Sequence, residues 1–142
     1  MKRQCIVILL LSLAGASALA QPLPMASFRF FQSADSPPLT LKEIAREGRV
    51  SIFQVSESIS DGTRALFARC NFAEFAQARG FSHIAVMAPQ TGEDKYALGL
   101  FHSEQDDLAE TFGEMLDKAR LLGARPGSVT KILPLCPKKP PK

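Results

Sequence analysis

The order of strand and helix patterns between residues 49 and 135 constrains the fold of this chain more than any other feature. The stretch 49–58 (RVSIFQVSES) predicts a strand, because it is rich in β-branched and aromatic residues. Both of its faces carry apolar residues, which is typical of a central strand. A helix is predicted to follow and to end at Arg79, before Gly80. Its core-facing stripe is predicted to comprise Ala65, Ala68, Phe72, Phe75 and Ala76.

The second half of this region repeats the alternation. The stretches 81–89 and 95–103 predict two strands, and the polar, glycine-containing loop between them predicts a hairpin. A helix is then predicted from Ser103 to Gly123, because apolar residues recur there at helical spacing. The final strand is predicted at 128–135, at a sheet edge, because its proline lacks an N–H.

This β-α-β-β-α-β order is that of the split βαβ, or ferredoxin-like, arrangement. The sequence therefore predicts an α+β fold in which two helices cover one face of a four-stranded antiparallel sheet. An extra short helix is predicted at 41–47, nearer the N-terminus. Thr40 and Glu43 have the spacing of a capping box, and Leu39 and Ile44 have the spacing of a hydrophobic staple.

The first 20 residues have the pattern of a bacterial Sec-type signal peptide. Lys2 and Arg3 form a positive start, an apolar run follows, and Ala18-Leu19-Ala20 ends it with small residues. Cleavage is predicted between Ala20 and Gln21. The alternative is retention as a membrane anchor, but a spanning helix needs about 20 apolar residues, and this run is shorter.

After cleavage we expect an extended N-terminal arm (21–38), a single α+β domain (39–136) and a Lys/Pro tail (137–142), with no further membrane span. The arm contains a candidate strand, SFRFFQ. Without Lys2 and Arg3, the 17 basic residues become 15, against 14 acidic ones, so the net charge is near +1. Nucleic-acid binding requires clustered Lys and Arg, and we therefore expect no nucleic-acid partner.

Two cysteines, Cys70 and Cys136, remain after cleavage. In an oxidising compartment an even number of cysteines indicates a disulfide, whereas in the cytosol the same pair would be free thiols. On a helical wheel Cys70 points away from the sheet, and its neighbour Glu74 would raise its pKa, which disfavours a nucleophile. A bond to Cys136 would close a loop of 66 positions and contribute about 4 kcal/mol.

The candidate ligand-binding residues are His83, His102 and Tyr96. If paired residues of the hairpin have numbers that sum to 185, His83 faces His102, with their Cβ atoms about 5 Å apart. The two imidazoles would then be weak candidates for a metal site, with Glu104 or Asp106 nearby. The alternative is that both histidines are half-exposed on the sheet surface. No cofactor is predicted.

The stretch 96–124 (YALGLFHSEQDDLAETFGEMLDKARLLGA) resembles the second half of a sporulation-related repeat (SPOR) domain. Leu98-Gly99-Leu100-Phe101 is similar to the family's L/V-G-x-F strand end, whereas IFQVSESISDG lacks its Q-x-G-x-F start. The resemblance implies a split βαβ topology and binding of peptidoglycan glycan strands. The stretch 49–86 is also similar to small exported bacterial envelope proteins of unknown function.

These features predict a non-catalytic binding or accessory protein of the bacterial envelope, in the periplasm or secreted. Enzyme motifs such as G-x-S-x-G, H-E-x-x-H and a glycine-rich phosphate loop do not occur in the sequence. The expected partner is an envelope protein or a cell-wall glycan. The two alternatives are a SPOR-like glycan-binding module that uses Tyr96, His83 and His102, and a small metal-handling protein that uses the two histidines.

Overall fold

A computed structural model describes residues 23–30, 39–56, 62–90 and 93–138. The predicted signal peptide, its cleavage site at Ala20 and Gln21, and parts of the predicted arm and tail lie outside these residues. The strands are β1 (Ser27–Phe30), β2 (Leu39–Glu47), β3 (Val50–Val55), β4 (His83–Met87), β5 (Lys95–Phe101) and β6 (Gly127–Ser128). The helices are α1 (Gly62–Ala78), α2 (Leu108–Phe112), α3 (Leu116–Leu121) and α4 (Val129–Ile132), with 3-10 turns at Gly113–Met115 and Leu133–Leu135.

The strands form one six-stranded sheet in the order β1-β2-β3-β5-β4-β6, and every neighbouring pair is antiparallel. The predictions of a central strand near residue 50, of the β4–β5 hairpin and of a strand in the N-terminal arm are confirmed. The chain is thus a mixed α+β protein, but its sheet has two more strands than the predicted one.

The predicted helix at 41–47 is wrong, because these residues belong to β2. Leu39, Leu41 and Glu43 are buried in alternation with more exposed residues, which is the period of a strand. The supposed cap residue Thr40 donates its backbone N–H to Ser56 Oγ at 2.9 Å, across the sheet. Pairing with β1 on one side and β3 on the other therefore overrides the local helix signals.

A β-bulge interrupts β2. Glu43 pairs with Phe53 and Ala45 pairs with Ile52, so Ile44 is an extra residue in the ladder. Side chains three residues apart in a regular strand point to opposite faces, but the bulge puts Glu43 and Arg46 on the same face. It also leaves Ile44 on the outside of the sheet, where it is 40% exposed.

One face of the sheet packs against α1 and α4. Alternate residues of β5, namely Tyr96, Leu98 and Leu100, lie in this core together with Phe53 and Phe72. The predicted stripe of α1 is buried at Ala68, Phe72, Phe75 and Ala76, whereas Ala65 at its start is exposed.

The other face packs against α2 and α3, where Phe112 and Ala119 lie against Ala97 and Phe101. The single helix predicted from Ser103 instead begins at Leu108, where Asp107 Oδ1 accepts a hydrogen bond from the Ala109 N–H at 2.8 Å. Gly113 separates α2 from α3, because its backbone angles, φ 52° and ψ −120°, are not helical. Residues with a Cβ avoid this conformation, so a glycine suits the position.

The two main helical segments therefore lie on opposite faces, contrary to the predicted arrangement. Strands β3 and β4 are parallel, as are β5 and β6, and each pair is joined by a helical crossover. Both crossovers run in the same direction across the sheet, but β3 and β5 point in opposite directions. If both crossovers are right-handed, as such connections almost always are, their helices must lie on opposite faces of the sheet. In the split βαβ order β6 would lie beside β3, a position that β2 occupies here.

The predicted C-terminal strand at 128–135 is also largely wrong. Only Gly127 and Ser128 pair with β4, and the chain then turns into α4. Val129 and Ile132 of α4 are buried in the α1 core. Pro134 lies in a 3-10 turn after α4, where its missing N–H removes no sheet hydrogen bond.

Candidate functional site

The two cysteines predicted to pair form a disulfide. The sulfur atoms of Cys70 and Cys136 are 2.08 Å apart and the Cα atoms 5.7 Å apart. Cys70 lies on α1 and is 6% exposed, because the segment after α4 covers it. Cys136 reaches it from a 3-10 turn rather than from the predicted edge strand. A disulfide is compatible with an oxidising compartment.

Tyr96 does not lie on an exposed face. It is 6% exposed, and its ring packs against Phe72 of α1 with 5.5 Å between ring centroids. Burial raises the pKa of its phenol above the ordinary value of 10.0. Tyr96 and His102 are also about 20 Å apart along the strand direction, given the rise of about 3.3 Å per residue. The three predicted ligand-binding residues therefore do not form one site.

The two histidines do not face one another either. The hairpin register places His83 opposite Phe101, one residue from the predicted pairing, and His102 follows the end of β5. The His102 ring stacks on Phe81 with 4.7 Å between centroids. His83 Nδ1 shares a hydrogen bond with Ser82 Oγ at 2.8 Å. Within the described residues, no group of three or more His, Cys, Asp or Glu is placed to hold a metal ion.

Glu43 and Arg46 form a buried ion pair on the α1 face. Arg46 donates to both carboxylate oxygens of Glu43, at 2.7 and 2.6 Å, and the Ala26 N–H donates to Oε2 at 2.9 Å. Burial alone would raise the pKa of Glu43, but the hydrogen bonds from Arg46 and Ala26 hold it below its ordinary value. Arg46 also donates to the carbonyl oxygens of Leu23 and Pro24. The pair thus fastens the segment before β1 to β2.

A groove lies on the other face of the sheet, between β2–β3 and the α2–α3 segment. It consists of two adjoining cavities of about 400 and 720 Å³ that share Ile52 and Met115. At the end formed by the smaller cavity, Lys118 pairs with Glu93 at 3.1 Å. In the wall of the larger cavity, Thr111 Oγ1 is buried and has no hydrogen-bond partner among the residues that the structure describes.

The sheet beside this groove is open at β1 and β2, because the core on this face is formed by α2, α3, β4, β5 and the part of β3 that contains Val50 and Ile52. A row of four exposed side chains crosses the strands here, since the register aligns Ser27, Lys42, Gln54 and Lys95. All four point away from the α1 core, because each alternates with residues buried there. Gln54 Nε2 donates to Asp94 Oδ2 at 2.7 Å. We call this surface, formed by β1, β2, β3 and the start of β5, the open face.

The open face was missed in the sequence because residues 41–47 have local helix signals. The alternation of Leu39, Leu41 and Glu43 with Thr40 and Lys42 is the signal that would have identified a strand with one polar face. After Glu43 the bulge shifts by one residue which side chains face the core. The alternation of apolar and polar residues therefore covers only 39–43, which is short for identifying a strand from sequence.

Two further observations bear on the class of protein. None of the helices in the described part of the chain has the length and apolar character needed to cross a membrane. Comparisons with models of protein families, with curated proteins and with solved structures found no match to this chain.

Proposed function

We propose that this chain is an exported, non-catalytic binding or accessory protein of the bacterial envelope, located in the periplasm or secreted. The observation that carries the proposal is the Cys70–Cys136 disulfide. A long-range disulfide in a chain of this size is typical of proteins that fold outside the reducing cytoplasm. The signal-peptide pattern at the N-terminus independently favours the same compartment.

Binding is supported by the open face and the groove beside it. The part of the sheet formed by β1, β2 and β3 is buried on one side and exposed on the other at Ser27, Lys42 and Gln54. It offers a rigid surface, and rigid surfaces lose little entropy when a partner docks. The absence of common enzyme motifs from the sequence favours a binding role over catalysis. An envelope protein is the expected partner.

Export is tested by expressing the full chain in a bacterium and determining the N-terminus and intact mass of the purified product. We expect an N-terminus at Gln21 and a mass that is two hydrogen atoms lower before reduction of the disulfide than after it. A variant with Ala18→Leu and Ala20→Leu is the matched control, because it blocks the peptidase site and should keep residues 1–20. An initiator methionine in the unaltered protein, together with free thiols, would contradict the proposal.

A second candidate function is binding of peptidoglycan glycan strands. The resemblance of residues 96–124 to SPOR domains supports it, and the open face offers hydroxyl and amide side chains that hydrogen-bond sugars. Sedimentation with purified cell-wall sacculi tests it. Protein in the pellet would support glycan binding, whereas protein left in the supernatant would leave the envelope protein as the partner.

A further inference from the structure

We propose that the open face binds an acidic segment of a partner protein, one that also carries apolar side chains. This inference rests on the proposed binding function and names the chemistry of its partner. It is carried by two neighbouring features of the surface: cations that have no counter-charge among the described residues, and an exposed apolar strip beside them.

The first feature is unpaired positive charge. Arg29, Lys42 and Lys95 point to the open face, and their side chains make no ion pair or hydrogen bond in the described part of the chain. Nearby cations are engaged, since Arg49 lies 3.3 Å from Asp106 and Lys118 lies 3.1 Å from Glu93. The charge of the three open-face cations is therefore available to a partner.

The register fixes how these cations are arranged. Lys42 and Lys95 lie in the same cross-strand row, separated by Gln54, so their Cα atoms are two strand spacings, or about 10 Å, apart. Arg29 lies in the adjoining row, opposite Thr40. Asp94 at the border is hydrogen-bonded to Gln54, and Glu47 is the exposed carboxylate of β2 on this side of the sheet. The three cations outnumber these two carboxylates, so the described residues of the open face carry a net positive charge. Carboxylates of a partner would meet complementary charge there.

The second feature is an apolar strip next to the row. The β-bulge leaves Ile44 40% exposed, and Ala45, which pairs with Ile52 and lies on the open side of the sheet, is exposed beside it. Ile52 and Met115 continue this strip into the smaller cavity of the groove, of about 400 Å³, which Lys95 also lines. The larger cavity is lined by Glu47, Glu110 and Glu114, so an acidic segment would fit the end of the groove beside Lys95. Apolar side chains of a partner segment would lose water against this strip, and they would supply affinity that the exposed cations alone do not.

The strip and the cations together favour a polypeptide over a single-stranded nucleic acid. Single-stranded nucleic acids need exposed aromatic rings for base stacking, and the described aromatic side chains of β3 and β5 are buried. A segment in which acidic and apolar residues alternate would instead contact both features at once.

The test uses synthetic peptides and the disulfide-bonded protein as purified. The probes are a labelled (Glu-Ser-Leu)₄ peptide, its (Lys-Ser-Leu)₄ counterpart, a (Glu-Ser-Ser)₄ peptide without apolar residues, and polygalacturonate as an acidic glycan. We expect the first peptide to bind most tightly by fluorescence anisotropy, with an affinity that falls as salt is added. Its binding should shift the backbone amide resonances of Lys42, Gln54 and Lys95.

A double variant, Lys42→Gln with Lys95→Gln, should weaken binding of the first peptide about fivefold, in keeping with the loss of two exposed charge contacts. The matched control is Arg125→Gln with Lys131→Gln, two exposed cations outside the open face, and it should bind like the unaltered protein. Equal urea midpoints would show that each variant is folded.

The inference is overturned if the Lys peptide binds as well as the Glu peptide, if polygalacturonate binds more tightly than either, or if the double variant is unaffected. The export experiment distinguishes the two levels of the proposal. Gln21 at the N-terminus without peptide binding would reject only the partner class, whereas peptide binding by a protein that begins at Met1 would reject only the envelope location.

Discussion

Glu43 and Arg46 lie three residues apart in the same strand, yet their side chains meet on one face of the sheet at 2.6 Å. The bulge between Glu43 and Ala45 makes this contact possible, because it shifts the register by one residue. The carboxylate of Glu43 is fully buried, and Arg46 is 14% exposed. The bulge in β2 therefore allows the ion pair to form, and the pair in turn holds the segment before β1 through hydrogen bonds to Leu23, Pro24 and Ala26.

Glu43→Gln should destabilise the protein by about 3 kcal/mol, because it leaves the largely buried Arg46 guanidinium without its counter-charge. Urea denaturation at pH 7 measures the change. Glu47→Gln is the matched control, since Glu47 lies in the same strand but is exposed, and it should shift the free energy of unfolding by less than about 0.5 kcal/mol. Similar urea midpoints for the two variants would contradict a stabilising role for the pair.

The same carboxylate should make stability depend on pH. Burial opposes ionisation of Glu43, but the hydrogen bonds from Arg46 and Ala26 outweigh this effect. In the folded protein the pKa of Glu43 is therefore below its ordinary value of 4.5. The contribution of Glu43 is therefore present above the pKa of the unfolded chain and is lost as the pH falls through the lower, folded value. We expect a larger loss of unfolding free energy between pH 7 and pH 3 in the unaltered protein than in Glu43→Gln.

The pKa values of two other carboxylates are also lowered in the folded protein. Their effects on stability are the same in both proteins and cancel in that comparison. The pKa of Glu93 is lowered by the Gln90 N–H, and the pKa of Asp106 is lowered by the His102 N–H. Both groups are unchanged in Glu43→Gln. Parallel pH profiles for the two proteins would therefore show that Glu43 does not titrate as proposed.

The disulfide should contribute about 4 kcal/mol, because it closes a loop with a sequence separation of 66. The double variant Cys70→Ala with Cys136→Ala should lower the free energy of unfolding by about this amount in urea. Reduction of the unaltered protein with dithiothreitol is the control and should produce a similar loss without altering any side chain. If reduction leaves the urea midpoint unchanged, the bond contributes nothing to stability.

Gly99 lies where a side chain would collide with the α2–α3 side of the core. A Cβ atom there would be 2.6 Å from Phe112 Cζ and 2.9 Å from Phe101 Cε2. Gly99→Ala should therefore destabilise the protein by about 1–3 kcal/mol through overpacking. Adding Phe112→Leu should cost less in the Gly99→Ala background than in the unaltered protein, because the smaller side chain relieves the clash.

Gly127→Ala is the matched control for Gly99, since its Cβ would lie 3.8 Å from the nearest atom, the Ile84 carbonyl oxygen. It should have little effect on the urea midpoint. Equal destabilisation by the two substitutions would show that a clash with the Phe112 ring is not what excludes a side chain at position 99.

Tyr96 is the single tyrosine of the sequence, so its ionisation can be followed directly by ultraviolet absorbance. Burial raises its pKa above 10.0 in the folded protein, and we expect an ordinary value in urea. Because the neutral phenol is favoured by folding, stability should fall as the pH rises above 10. A phenol that titrates near 10 in the native protein would place Tyr96 in contact with water.

Several elements could be predicted from the sequence because their signals are local. The apolar spacing of Phe72, Phe75 and Ala76 identifies the buried side of α1, and the position of Cys70 on the outer side identifies the cysteine that a distant segment can reach. The β4–β5 hairpin was located correctly, but its register differs by one residue. In a strand that error moves His83 away from His102.

The remaining features depend on contacts between distant segments. Residues 41–47 have helix signals, and only their pairing with β1 and β3 makes them a strand. The face covered by α2 and α3 depends on which edge β6 occupies, and a two-residue strand has no periodicity that would indicate its edge. The cations of the open face become neighbours only through the register of β1, β2, β3 and β5, so no single stretch of sequence contains this site.

The position of the disulfide in the chain has a consequence for biogenesis. Cys136 is synthesised 66 residues after Cys70, when α1, β4, β5 and the α2–α3 segment have already been made. Oxidation is therefore a late event, and until then the thiol of Cys70 has no native partner. A truncated chain that ends before Cys136 would retain this unpaired thiol, which can form mixed disulfides with other proteins, whereas the finished chain holds both sulfurs in its own bond.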